Sequence, residues 1–231
     1  MPAITEHQKA CPGRLLQWSH EVQAAFAHLS KPQVWGLVLW STGIALSGAA
    51  GITQISALLA LVLEQQEQAV FQRLREWYLD AKHQSGKKRR DLDVTTCFAP
   101  LLRWIVRLWG KGNRQMVLVL DATSLGECWT ILSISVVIRI CAIPVAWKVR
   151  GGHEKGSWRP HWEGLLKHLD GCIPAEWQVL VMADRGLYAH WLFQAILDCG
   201  WRWRWPSFGP FQMGLLPCLL NREQRILLRV H

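Results

Sequence analysis

The chain is short of acidic residues, has no closely spaced cysteine pair and opens without a secretory leader, and each shortage removes a class of function. Seventeen Asp and Glu stand against 26 Lys and Arg, a formal net charge of +9 over 231 residues. Such a balance suits a polyanionic partner, since each neutralised phosphate releases condensed counterions. Charge alone does not choose between nucleic acid and an anionic membrane surface. The seven cysteines, at 11, 97, 128, 141, 172, 199 and 218, contain no C-x-x-C pair. Neither a disulfide framework nor a zinc cluster is indicated, and reduced thiols in a cytoplasmic protein are expected. The opening MPAITEHQKACPGR is too polar for a secretory signal. His153, His161, His168 and His190 are scattered, none at metal-ligand spacing, and no internal repeat is visible.

Charge is also missing between Lys31 and Glu64, and Val34 to Ile52 is long enough to span a bilayer. Polar residues from Gln33 to Ser56 and the Gly48-Ala49-Ala50-Gly51 break favour another reading, two buried helices joined by a turn. A membrane is therefore the disfavoured partner. Half of the residues are apolar, so a folded chain with a sizeable core is expected.

What is present begins with helices. Segments Leu15 to Leu29, Gln33 to Leu46, one starting at Thr53, and Gln65 to Leu79 carry helical spacing. In the last, Val70, Leu74, Trp77 and Tyr78 fall on one face while Gln72, Arg73, Arg75 and Glu76 face away. A solvated surface accounts for that pattern, and so does a basic face that grips phosphates. Gly86-Lys87-Lys88-Arg89-Arg90 follows as a basic linker, a candidate clamp on a DNA backbone. Arg73, Arg75, Lys87, Lys88, Arg89 and Arg90 are thus the candidate DNA contacts. Phe98 to Trp109 is a further amphipathic helix, closed by Gly110-Lys111-Gly112-Asn113.

From Gln115 the pattern turns to strands. Met116 to Leu120 is a continuous apolar run, Trp129 to Ile138 and Ala142 to Val149 are two more strands, and Pro144 demotes part of the last to an edge or an irregular strand. A helix over Ser157 to Leu169, a strand over Val179 to Ala183, a helix over Tyr188 to Cys199 and a strand in Trp201 to Trp205 complete the series. The order β-β-β-α-β-α-β describes an α/β domain with a mixed sheet flanked by helices.

Asp121 follows directly on MVLVL, and Asp184 directly on VLVMA. Ligands bind at the carboxyl ends of strands in open α/β sheets. If these two strands are parallel neighbours, their carboxylates converge and repel unless a cation lies between them. Hard ions such as Mg²⁺ or Mn²⁺ take such oxygens and keep the phosphate oxygens of a nucleic acid in their other positions. Two readings stand at this point: metal ligands, or aspartates that cap local structure, Asp121 in an Asx turn and Asp184 at the start of a helix.

Five segments carry a specific resemblance: Leu92 to Pro100 (LDVTTCFAP), Leu120 to Gly126 (LDATSLG), Ile143 to Lys148 (IPVAWK), Lys155 to Trp162 (KGSWRPHW) and Ala183 to Tyr188 (ADRGLY). In order and spacing they resemble bacterial insertion-sequence transposases of the DDE class, over roughly residues 30–205. The resemblance implies a ribonuclease H-like catalytic domain behind a helical DNA-binding region, with Asp121 and Asp184 as the first two catalytic, metal-binding acids. It divides the chain into a DNA-binding region (1–90), a helical connector (91–113), a partial catalytic domain (114–205) and an atypical tail (206–231). It also implies Mg²⁺ or Mn²⁺, terminal inverted repeats and target DNA as ligands, and a second copy or an intact transposase as protein partner. The departure is the third acid. The family's helix bearing Tyr, Arg, Glu and Lys has no counterpart after Trp205, where Glu223 is the only acid and sits in a polar NREQR stretch. A truncated or frame-shifted remnant is the expectation, or a non-catalytic DNA-binding protein that inhibits an intact relative.

Fifteen tryptophans remain to be placed. The Trp/Arg alternation at 201–205 fits a half-buried strand and also base stacking.

Overall fold

The computed structural model describes residues 11–84, 90–110, 112, 114–139, 141–154 and 156–203. The chain divides into two compact units, Met1–Cys97 and Phe98–His231.

The first unit is helical: α1 (Cys11–Ala25), α2 (Lys31–Ser47), α3 (Ile52–Leu63) and α4 (Glu67–Tyr78), followed by short 3₁₀ turns at Ala81–His83 and Val94–Cys97. Ser30 starts α2: its backbone N–H and hydroxyl both donate to Gln33 Oε1, at 3.0 and 2.8 Å, and Pro32 sits in the first turn, where no donor is lost. Gly48 ends it with φ +65°, a conformation that side chains with a Cβ adopt reluctantly. From there the chain turns by 96° into α3. Among the described residues no single helix is long and apolar enough to cross a membrane; α2 and α3 reach the necessary length and composition only as this bent pair. Their apolar residues have a local use. Leu39, Ile55 and Leu59 are fully buried with Val70 and Leu74 of α4 in one cluster.

Tryptophans tie these helices together. The indole N–H of Trp77 donates to Gln33 O at 2.9 Å, that of Trp40 to Leu74 O at 3.1 Å, and that of Trp18 to Ser41 Oγ at 2.8 Å. A large apolar ring with one donor suits this work, because burial and a polar handle come in one side chain. Gly36 admits the Trp77 ring so closely that a Cβ there would overlap it. Tyr78 departs from the expected buried face: it is 56% exposed, edge-on to Trp40 at a centroid distance of 6.2 Å. On the helical wheel it lies about 80° from Val70, at the margin of the buried stripe.

The second unit has the expected α/β fold, a mixed sheet flanked by helices. Helix α5 (Phe98–Leu108) leads into β1 (Gln115–Leu125), β2 (Trp129–Ile138) and β3 (Cys141–Gly151). Then come α6 (Arg159–Leu169), β4 (Gln178–Ala183), a 3₁₀ turn (Arg185–Leu187), α7 (His190–Asp198) and β5 (Arg202–Trp203). The sheet order is β3-β2-β1-β4-β5. β1, β2 and β3 form an antiparallel meander, while β4 runs parallel to both β1 and β5. Pro144 lies on the edge strand as its missing donor requires, beside a register shift between Ile134 and Ser135 of β2.

Met116, Leu118 and Leu120 of β1, Leu132, Ile134 and Val136 of β2, and Val179, Val181 and Ala183 of β4 are buried in one cluster. It also holds Phe98, Leu102 and Ile105 of α5, Trp162, Leu165, Leu166 and Leu169 of α6, and Leu192 and Ile196 of α7. The period of two therefore sends alternate strand residues into a helix-covered core. Val117, Val119, Leu180 and Met182, on the other face, are only partly buried.

Candidate active site

The parallel ladder between β1 and β4 sets Leu118 beside Val181 and Leu120 beside Ala183. One residue further along each chain stand Asp121 and Asp184. Partners in a parallel ladder share a face, and alternation carries Asp121 onto the face of Val117 and Val119, while Asp184 follows β4 directly after the buried Ala183. Hydrogen-bonded strands run about 4.8 Å apart, which brings the two backbones to adjacent positions at one level. Both acids are exposed.

Their local settings differ from each other and, in one case, from expectation. Asp184 does close its strand: β4 ends at Ala183, and Asp184 O accepts from Leu187 N at 3.0 Å to start the 3₁₀ turn. Asp121 does not close β1. The strand continues to Leu125, with Asp121 paired to Ser133 of β2. The apolar run ends at Leu120, but antiparallel pairing with β2 holds the backbone extended for five more residues. The Asx turn is likewise replaced by strand. The Thr123 hydroxyl, two residues along on the same side, donates to Asp121 Oδ2, while the other carboxylate oxygen has no protein partner among the described residues.

Two exposed aspartates just past paired residues of neighbouring strands are the ligand type a small hard cation takes. Mg²⁺ commonly takes one or two protein carboxylates and completes its shell with water and phosphate oxygens. Among the described residues no group of three or more His, Cys, Asp or Glu comes together. Glu223, the only acid of the tail, lies outside the described residues.

The candidate DNA contacts are dispersed. Arg73 and Arg75 are both exposed on α4, but two residues along a helix is about 200°, so they point to opposite sides and make no single basic face. Arg73 Nη1 donates to Gln65 Oε1 at 3.1 Å. Arg90 is exposed, and its carbonyl accepts from Gln84 Nε2 at 3.2 Å. Lys87, Lys88 and Arg89 lie outside the described residues, as do Arg204 and Trp205. Of the Trp/Arg alternation, Trp201 is buried in the core and Arg202 is exposed, the pattern of a half-buried strand.

No protein-family model matches the chain, and a search of curated proteins finds no match. Among solved structures it is similar to a chain of the "Crystal structure of the Mos1 Strand Transfer Complex", at 13% identity and a TM-score of 0.25. The alignment covers 73% of this chain and 56% of that one, so the chain spans little more than half of that neighbour's length.

One group that sequence reasoning passed over is Arg150. An arginine near the end of an edge strand reads as solvent-facing, yet this one is only 4% exposed. The one available signal was Glu154 four residues on, which accepts from Arg150 Nε at 3.3 Å.

Proposed function

We propose that the chain is an insertion-sequence DNA transposase of the DDE type with an incomplete set of acids. The observation that carries this reading is that Asp121 and Asp184 each follow directly on one residue of the pair Leu120–Ala183, which stand side by side in adjacent parallel strands. Asp121 and Asp184 are the residues that would hold Mg²⁺ or Mn²⁺, and Thr123 fixes one oxygen of Asp121. When bound, such ions supply an activated water or 3′-hydroxyl and charge neutralisation at the leaving oxygen. The chain's own part is to present two carboxylates and to bring a phosphodiester to them. The +9 charge supports DNA as the polyanion that is brought.

With two acids rather than three, the proposed chain retains DNA engagement and has impaired 3′-end cleavage and strand transfer. The exposed Arg73, Arg75 and Arg90 favour a second reading, a non-catalytic protein that binds the element's ends and inhibits an intact relative. Incubation with the terminal inverted repeat and Mn²⁺ separates the outcomes. Robust nicking lost in Asp121→Asn would show a working enzyme and overturn the incomplete site. Binding without nicking, with transposition of an intact relative reduced on co-expression, supports the inhibitor. Failure to bind both DNA and metal overturns both readings.

A further inference from the structure

The carboxyl end of β3 lies at the same end of the sheet as Asp121 and Asp184, because β1 and β3 run in the same direction on either side of β2. In that end are Lys148 and Arg150, alternate residues of β3 and hence on one side of the strand. Lys148 is exposed; the Arg150 side chain is only 3% exposed. The Arg150 guanidinium carries five N–H donors. Nε donates to Glu154 Oε2 at 3.3 Å and Nη2 to Glu154 O at 3.4 Å. Charge-assisted bonds of this kind usually run at about 2.7–2.9 Å, so both are long and most of the fork is unused. None of its nitrogens is both sealed from solvent and without a partner, so its remaining donors can take another acceptor.

His161, in the first turn of α6, lies within electrostatic reach of Lys148, Arg150 and Glu154. Burial, then Arg150 and Lys148, hold its imidazole below the usual range, against the opposing pull of Glu154. On its own helix the neighbouring charges, Arg159 and Glu163, are paired with each other at 2.7 Å. Arg150 and His161 thus act on the half-exposed Glu154 carboxylate, with Lys148 acting on His161.

From this arrangement we infer that Lys148, Arg150 and His161 form an anion site that takes a backbone phosphate of a nucleic acid. The assignment rests on the DNA reading above and adds a contact to it. The phosphate oxygen completes the Arg150 fork, Lys148 adds a point charge, and His161 donates from its ring. The register sets Lys148 beside Leu132 and Arg150 beside Thr130, on the helix-covered side, so this site lies on the opposite face of the sheet from Asp121.

Imidazole NMR of the full chain tests it. A mixed-sequence DNA duplex that binds by fluorescence anisotropy is expected to shift the His161 resonances and raise its pKa. Inorganic phosphate at equal phosphate concentration is expected to shift them less. Lys148→Ala is expected to lower the slope of log K against log salt by about 1, as the loss of one phosphate contact does. If Arg150→Lys fails to fold, Lys148→Ala alone decides. DNA that binds while His161 stays silent, an unchanged salt slope, or an equal response to free phosphate overturns the site. Asp121→Asn separates this from the metal reading. A His161 response that persists without any metal binding keeps the phosphate site and sinks the metal pair, and metal binding with a silent His161 does the reverse.

Discussion

Leu120 and Ala183 stand side by side in the parallel ladder of β1 and β4, and each is followed by an aspartate. Removing either carboxylate has opposite effects on metal affinity and on the metal-free fold. Asp121→Asn or Asp184→Asn is expected to weaken Mn²⁺ binding about tenfold or more, ~1.4 kcal/mol, by isothermal titration calorimetry. Without metal, each variant melts at the same temperature as the parent or slightly higher, because a like-charge repulsion has been relieved. A lower melting temperature with unchanged Mn²⁺ affinity would show that the acids support the fold and not an ion.

The two faces of the sheet respond unequally to truncation. Leu118 is fully buried in the helix-covered core, so Leu118→Ala is expected to cost about 2–5 kcal/mol in urea unfolding. Val119, its neighbour on the face of Asp121, is partly buried, and Val119→Ala is expected to cost clearly less. Equal losses would reverse the assignment of the faces.

Close approach at Gly36 makes the helical unit sensitive to one methyl group. Gly36→Ala drives a Cβ into the Trp77 ring, which is tied by its N–H to Gln33 O. Overpacking of this kind costs about 1–3 kcal/mol, a loss read in chemical denaturation. The helix preference of alanine would otherwise have favoured the substitution.

The thiols sort by burial. Burial pushes Cys199 up to about 11, and Asp170 and Asp198 add to the rise. A thiol raised in the folded state contributes stability in full below its ordinary value of 9.0, and that contribution is lost as pH rises from there toward 11. At pH 8 only about one Cys199 in a thousand is thiolate. Iodoacetamide is expected to label the exposed Cys128 and Cys141 first, as read by mass spectrometry of peptides, with Cys199 following only at alkaline pH.

Much of this arrangement is legible in the residues themselves. Continuous runs such as MVLVL and VLVMA announce strands, and Pro144 announces the edge, because each depends on local chemistry. The extension of β1 beyond Asp121 is not legible. It is imposed by four residue pairs with β2, from Ala122 to Leu125, through a polar stretch (DATS) that has no strand character of its own. The same limit hides Arg150, whose burial comes from chain segments that sequence spacing does not bring together. Arg73 and Arg75 show the converse. Their proximity in sequence suggests one basic patch, and helical geometry separates them.

The proline and the register slip on β3 have an effect beyond their own strand. An open strand edge invites a further strand from another chain. Here a newcomer would meet a position with no hydrogen to offer, and next to it a pleat out of step with its own. The opposite edge, β5, offers only Arg202 and Trp203 among the described residues. Lengthening the sheet from outside is thus discouraged at β3.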